Sequence, residues 1–67
     1  MMPVIVNGQT HDLADNTTVA GLVETLGFTG KRIAVERNGD IVPRSQHGST
    51  PLVAGDRIEI VVAVGGG

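Results

Sequence analysis

The sequence has no cysteine, tryptophan or tyrosine and only one phenylalanine among its 67 residues. The absence of cysteine excludes disulfides, thiolate zinc sites, iron–sulfur clusters and cysteine nucleophiles. The scarcity of aromatic rings removes the stacking platforms on which single-stranded nucleic acids are usually bound. Aliphatic side chains must therefore build the core, and a chain of this length forms one small domain.

Basic charge and long apolar runs are also scarce. Five lysines and arginines stand against seven acidic residues, for a net charge of −2. Binding to nucleic acid phosphates needs a basic excess, so a nucleic acid partner is not expected. The longest apolar run, residues 60–64, is far shorter than the roughly 20 residues of a membrane span. The first residues lack the features of a signal peptide. We therefore expect a cytoplasmic protein with no membrane partner.

Two Asn-Gly pairs, at 7–8 and 38–39, are the strongest local signals, because this dipeptide favours the type I′ turn of a β-hairpin. The first predicts a hairpin of residues 3–6 and Gln9–Leu13, and the second predicts a pair formed by residues 32–37 and Ile41-Val42. Pro43 ends the latter. Residues 44–51 are polar and irregular, with room for one helical turn. Residues 57–64 alternate and are predicted to form the last strand.

A short helix is predicted between the two hairpins. Its apolar stripe has the i, i+3, i+4, i+7 spacing and consists of Val19, Leu22, Val23 and Leu26. Thr17 is the favoured N-cap. Gly27 is placed to be the left-handed residue after the helix, and Phe28 is placed to close back on Val23, as in a Schellman ending.

The element order predicts an α+β domain of the β-grasp (ubiquitin-like) type. One helix must cover one face of one sheet, and it also supplies the crossover that lets the first and last strands pair in parallel. We expect a mixed sheet of four to five strands. Residues 1–64 form the single domain in this interpretation, and residues 65–67 form a flexible glycine tail.

The sequence contains no recognisable catalytic or metal-binding constellation. His11 and His47 are the only histidines. They lie far apart in the sequence, and we expect both to be solvated. No metal site, no cofactor and no enzymatic activity of the chain itself are therefore expected.

The three glycines Gly65, Gly66 and Gly67 at the end of the sequence are its most informative feature. Glycine has no Cβ, so other atoms can approach its backbone closely. Three extended residues reach roughly 10 Å beyond a sheet. Such a tail suits a carboxylate that enters another protein's active site and reacts there. An alternative is a frayed terminus.

Strand alternation also predicts an apolar docking surface near that tail. If Ile58, Ile60, Val62 and Val64 face the helix, then Val61 and Ala63 face outward, and Ile5 is expected beside them. Apolar side chains clustered next to a reactive tail indicate a surface for partner binding. Arg44, with Glu36, is expected to form a polar rim.

The chain resembles the ThiS family over essentially its whole length. The most diagnostic stretch is residues 33–44, IAVERNGDIVPR. Further similarity lies in Val-Asn-Gly at 6–8, in the helix stripe, in Leu52 with Gly55-Asp56, and in the segment Ile58-Glu59-Ile60. The last two glycines match the di-glycine ending of the family.

This resemblance implies a sulfur carrier of thiamine biosynthesis. An E1-like enzyme of the ThiF type would adenylate Gly67, with ATP bound by that enzyme. A sulfur donor such as a cysteine desulfurase would convert the carboxylate into a thiocarboxylate. A thiazole synthase of the ThiG type would then accept the sulfur.

Two alternatives stay open from the sequence. A carrier similar to the small subunit of molybdopterin synthase has the same fold and the same terminal chemistry. A β-grasp binding module with an idle tail is the other.

Overall fold

Both Asn-Gly turns form the hairpins that the sequence predicts. In the computed structural model, which describes residues 1–63, Asn7, Gly8, Asn38 and Gly39 all have positive φ, as a type I′ turn requires. The elements are β1 (Met2–Val6), β2 (Gln9–Leu13), α1 (Val19–Thr25), β3 (Ile33–Arg37), β4 (Asp40–Ile41), a 3₁₀ helix (Arg44–Ser49) and β5 (Arg57–Val62).

The five strands form one mixed sheet in the order β2-β1-β5-β3-β4. β1 and β5 lie side by side and run parallel, as predicted, with Ile5 opposite Arg57 and Val6 opposite Ile58. β3 is antiparallel to β5 on its other side. The predicted β-grasp fold is therefore confirmed, and β5 is the central strand from which the chain continues to its last residues.

The helix ends as predicted but begins one residue later. Gly27 is left-handed, and the amides of Gly27 and Phe28 donate to the carbonyls of Glu24 and Val23, both at 3.0 Å, which is a Schellman ending. Thr18, not Thr17, is the N-cap, because its hydroxyl accepts the Gly21 N–H at 3.2 Å. The Thr17 hydroxyl instead donates to the Ala14 carbonyl.

The core lies between α1 and the inner face of the sheet. Its buried members are Met2, Val4, Val6, Leu13, Val19, Leu22, Val23, Val35, Val42, Leu52, Ile58 and Ile60. Val62 has the predicted face, since it lies opposite Ile33, which packs against the core, but it is 39% exposed at the end of β5. Val64, predicted for the same face, lies outside the described residues, as do the three glycines.

Within residues 1–63, no helix has the length and apolar character that a bilayer crossing requires.

Candidate functional site

A shallow groove lies at the end of the sheet from which the chain continues towards its glycines. Its volume is about 340 Å³, and its floor consists of Ala34, Val61 and Ala63. Val61 is 60% exposed, which is unusual for a valine on a central strand. The remaining lining residues are Arg32, Ile33 and Arg44.

The register between β3 and β5 builds this groove. Ala34 lies directly opposite Val61, and the Ala63 N–H donates to the Arg32 carbonyl at 2.8 Å. Facing residues of antiparallel strands point to the same side of a sheet, so Ala34 and Val61 share the outer face. The small side chains of Ala34 and Ala63 leave a shallow apolar depression beside Val61. Arg44 comes from the start of the 3₁₀ helix, directly after Pro43.

Ile5 does not reach the groove, so this part of the predicted surface is wrong. Ile5 is half-buried on the outer face, but the parallel register places it opposite Arg57. Val61 lies four residues further along β5, which is about 13 Å away along the strand. β1 cannot continue to that level because the chain reverses at Asn7-Gly8.

An acidic pair bounds the groove on the side away from the chain end. Glu36 and Glu59 lie directly opposite each other, two residues after Ala34 on β3 and two residues before Val61 on β5. Arg32 and Arg44 line the groove itself. The outer face therefore changes from basic and apolar at the groove to acidic at the neighbouring Glu36–Glu59 pair.

A buried carboxylate holds the beginning of β5 in place. Asp56 is 3% exposed, and its oxygens accept hydrogen bonds from Arg37 Nε at 2.8 Å, Asn38 Nδ2 at 3.0 Å and the Val53 N–H at 2.9 Å. Burial by itself raises the pKa of Asp56, but these hydrogen bonds and the Arg37 charge outweigh it and hold the pKa below its ordinary value of 3.8.

This network predicts an acid-sensitive stability. Because the pKa of Asp56 is lower in the folded chain, the unfolded chain takes up more protons as the pH falls below 3.8. The stabilisation from Asp56 is therefore complete above that pH and lost as the pH falls through the lower, folded pKa. We expect Asp56→Asn to be less stable at neutral pH and to lose less free energy of unfolding on acidification. Urea unfolding at several pH values would show this, and parallel pH profiles for the two proteins would contradict it.

The two histidines do not form a site. His47 is buried, which corrects the prediction that it is solvated, and its Nε2 lies 3.1 Å from the Val42 carbonyl oxygen. A carbonyl only accepts, so Nε2 donates and the ring anchors the 3₁₀ helix to the core. His11 is partly exposed on β2. Within residues 1–63, no three histidine or acidic side chains are grouped so as to hold a metal ion.

Comparison with known proteins decides the family. The model of the ThiS family matches residues 4–67, a span that includes the groove and all three glycines. The chain belongs to the ThiS family. The predicted resemblance to this family is confirmed.

The crystal structure of the thiamine biosynthesis protein ThiS from Geobacter metallireducens has the same fold. It superposes with a TM-score of 0.82 at 29% identity, and the alignment covers 98% of this chain and 100% of that one. The β-grasp domain described above is therefore a ThiS fold throughout its length.

Two thiazole synthases contain a region similar to this chain. The one from Magnetococcus marinus is 41% identical and the one from Paramagnetospirillum magneticum is 38% identical, each over 66 residues and 98% of this ThiS chain. The chain spans about a fifth of the length of these curated relatives, since the matched region is 20% of each.

Proposed function

We propose that this ThiS-family protein carries sulfur as a thiocarboxylate on Gly67 for the formation of the thiazole ring of thiamine. The observation that carries the proposal is the family match, which extends over the groove and through the three glycines. The body of the domain presents the reacting group, and the chemistry occurs in the active sites of partner enzymes.

Two steps would load the sulfur. In an E1-like adenylating enzyme of the ThiF type, a carboxylate oxygen of Gly67 attacks the α-phosphorus of ATP, and pyrophosphate leaves. A sulfur at the level of sulfide then attacks the acyl carbon of the adenylate; a C–S bond forms, the C–O bond to AMP breaks and AMP leaves. A cysteine desulfurase persulfide with a thiol reductant is a suitable source. Glycine suits both steps because no Cβ hinders the carbonyl.

In this proposal ATP belongs to the adenylating enzyme, and the carrier itself needs no cofactor. The carrier is a substrate in each step and not a catalyst. Because the loading step consumes ATP, we place the reaction in the cytoplasm.

A thiazole synthase of the ThiG type is the proposed acceptor. Support comes from the two thiazole synthases that contain a region 38% and 41% identical to this chain. A carrier-like region within the same polypeptide as the synthase keeps donor and acceptor together, at a high effective concentration.

We propose that partners dock on the groove of Ala34, Val61 and Ala63. The groove is apolar and lies on the strand that leads to the glycines, so an enzyme bound there would be near Gly67. The arginines at the groove and the Glu36–Glu59 pair behind it fit an apolar partner surface with acidic groups near its active site and basic groups further away.

A valine pair tests this docking surface. Val61→Gln is expected to weaken binding of the adenylating enzyme about tenfold, because it places a polar group in an apolar contact. Val53→Gln is the matched control: Val53 is 53% exposed and Val61 is 60% exposed, but Val53 precedes β5 and lies outside the groove. Titration calorimetry measures both. Equal losses of affinity, or none for Val61→Gln, would show that partners bind elsewhere.

A growth experiment tests the proposed function. A strain without this protein is expected to need thiamine, or its thiazole precursor, and to keep its molybdenum-cofactor enzymes active. The opposite requirement would identify a carrier similar to the molybdopterin-synthase small subunit. A strain with neither requirement would indicate a binding module without a role in sulfur transfer.

A further inference from the structure

Both Asn-Gly turns reach β5 through their asparagine side chains. The Asn7 amide forms two hydrogen bonds with Ile60: its Nδ2 donates to the Ile60 carbonyl at 3.1 Å, and its Oδ1 accepts the Ile60 N–H at 2.8 Å. Asn38 accepts the Arg57 N–H at 2.9 Å and donates to Asp56 at 3.0 Å. One turn therefore holds β5 near its beginning, and the other holds it near its end.

The side-chain amide of Asn7 takes the place of backbone from a neighbouring strand beside β5. The backbone pairing of β1 with β5 ends where the Asn7 N–H donates to the Ile58 carbonyl at 2.9 Å. The next residue of β5 that points to this side is Ile60, and the Asn7 amide bonds to both its N–H and its C=O. A side-chain amide carries one acceptor and two donors, so it can satisfy both groups as a neighbouring strand would.

The two sides of β5 are held differently in this region. On the β3 side, backbone pairing continues to Val62, and the Ala63 N–H donates to the Arg32 carbonyl. On the β1 side, within residues 1–63, the hydrogen bonds beyond Ile58 come from the Asn7 side chain. The groove floor can therefore persist without Asn7, whereas the restraint on the other side of Ile60 cannot.

The turn itself does not require this amide. Asn7 has a φ of 49°, a conformation that glycine adopts at no steric cost. Asn7→Gly therefore keeps the backbone of the turn and removes only the contact with Ile60.

We propose that Asn7 is a positioning residue for sulfur loading. Its amide fixes Ile60, and Ile60 is seven residues before Gly67, so the contact sets the direction in which the chain leaves the groove towards the partner's active site. Asn7 touches no reacting atom and acts through β5. This inference rests on the proposed function.

The test compares Asn7→Gly with Asn38→Gly in the full chain. Both variants keep a residue that accepts positive φ and lose side-chain hydrogen bonds to β5, but only Asn7 lies near the end of that strand. For each protein, kcat and KM are measured for thiocarboxylate formation with the adenylating enzyme, ATP and sulfide. Amide hydrogen exchange at Ile60 and urea unfolding are measured in parallel.

The expected result is a split between the two variants. Asn7→Gly should accelerate exchange at Ile60 about tenfold or more, since it removes two hydrogen bonds. It should lower kcat about tenfold and leave KM nearly unchanged, because the groove is intact. Asn38→Gly should lower stability at least as much and leave kcat within about twofold of the wild type, because its contacts lie at the other end of β5.

Other outcomes separate the inference from the proposed function. If both variants raise KM alone, Asn7 acts only through the fraction of folded carrier, and the inference is wrong. Normal kcat in Asn7→Gly also overturns it. A wild-type chain that gains no sulfur overturns the proposed function, and the role of Asn7 in loading with it.

Discussion

Deletion of Gly67 is expected to abolish thiocarboxylate formation and to leave the free energy of unfolding unchanged. The deletion moves the carboxylate back by one residue, or about 3.5 Å. Displacements of about 1 Å can already cost roughly a hundredfold in rate when a reacting group must be aligned in an active site. Every residue of the core described above lies within residues 2–60, so the deletion leaves all of these side chains in place.

An added glycine after Gly67 is the matched control for this deletion. It moves the carboxylate by the same distance in the opposite direction and keeps every residue of the present chain. We expect it to block loading as well, again without a change in urea unfolding. If either variant is loaded at the wild-type rate, the position of the Gly67 carboxylate is not what the partner recognises.

Leu22→Ala is expected to lower the free energy of unfolding by about 2–5 kcal/mol. Leu22 is 0% exposed and is among the largest fully buried side chains of the core. A domain of this length has a total stability of only about 3–10 kcal/mol. The substitution therefore removes a large part of it and leaves a measurable unfolded population.

Leu26→Ala is the control on the same helix stripe, since Leu26 is only partly buried at the margin of the core. It should cost clearly less than Leu22→Ala. Far-ultraviolet circular dichroism is the appropriate probe because the chain has no tryptophan or tyrosine. An equal or larger cost for Leu26→Ala would contradict the packing of α1 on the sheet.

The fold was predictable because its signals are local. Asn-Gly at 7–8 and at 38–39 favours the type I′ turn, whose two central residues have positive φ. The alternation of apolar and polar residues in β5 distinguishes its inner from its outer face. The helix ending was predictable for the same reason: Gly27 and Phe28 follow the last apolar residue of the stripe. One crossover helix between strands then leaves few topologies to consider.

The residues whose positions were predicted wrongly are placed by strand register and by contacts between segments that are distant in the sequence. Ile5 has the expected face, but parity says nothing about how far one strand slides along another, and the register places it opposite Arg57. His47 is buried in the 3₁₀ helix, and the sequence of that helix has no periodic apolar pattern that would predict the burial. The asparagine turns were recognised from their backbone preference, and the contacts of their amides with β5 follow only from the assembled sheet.

The mass of the intact chain tests the central claim most directly. The purified protein is incubated with the adenylating enzyme, ATP and sulfide, and is then compared with a chain whose Gly67 carboxylate has been amidated. The wild-type chain is expected to gain the mass difference between sulfur and oxygen, located on Gly67 by fragmentation, and the amidated chain is expected to stay unchanged. Sulfur on any other residue, or sulfur transfer by the amidated chain, would contradict the account.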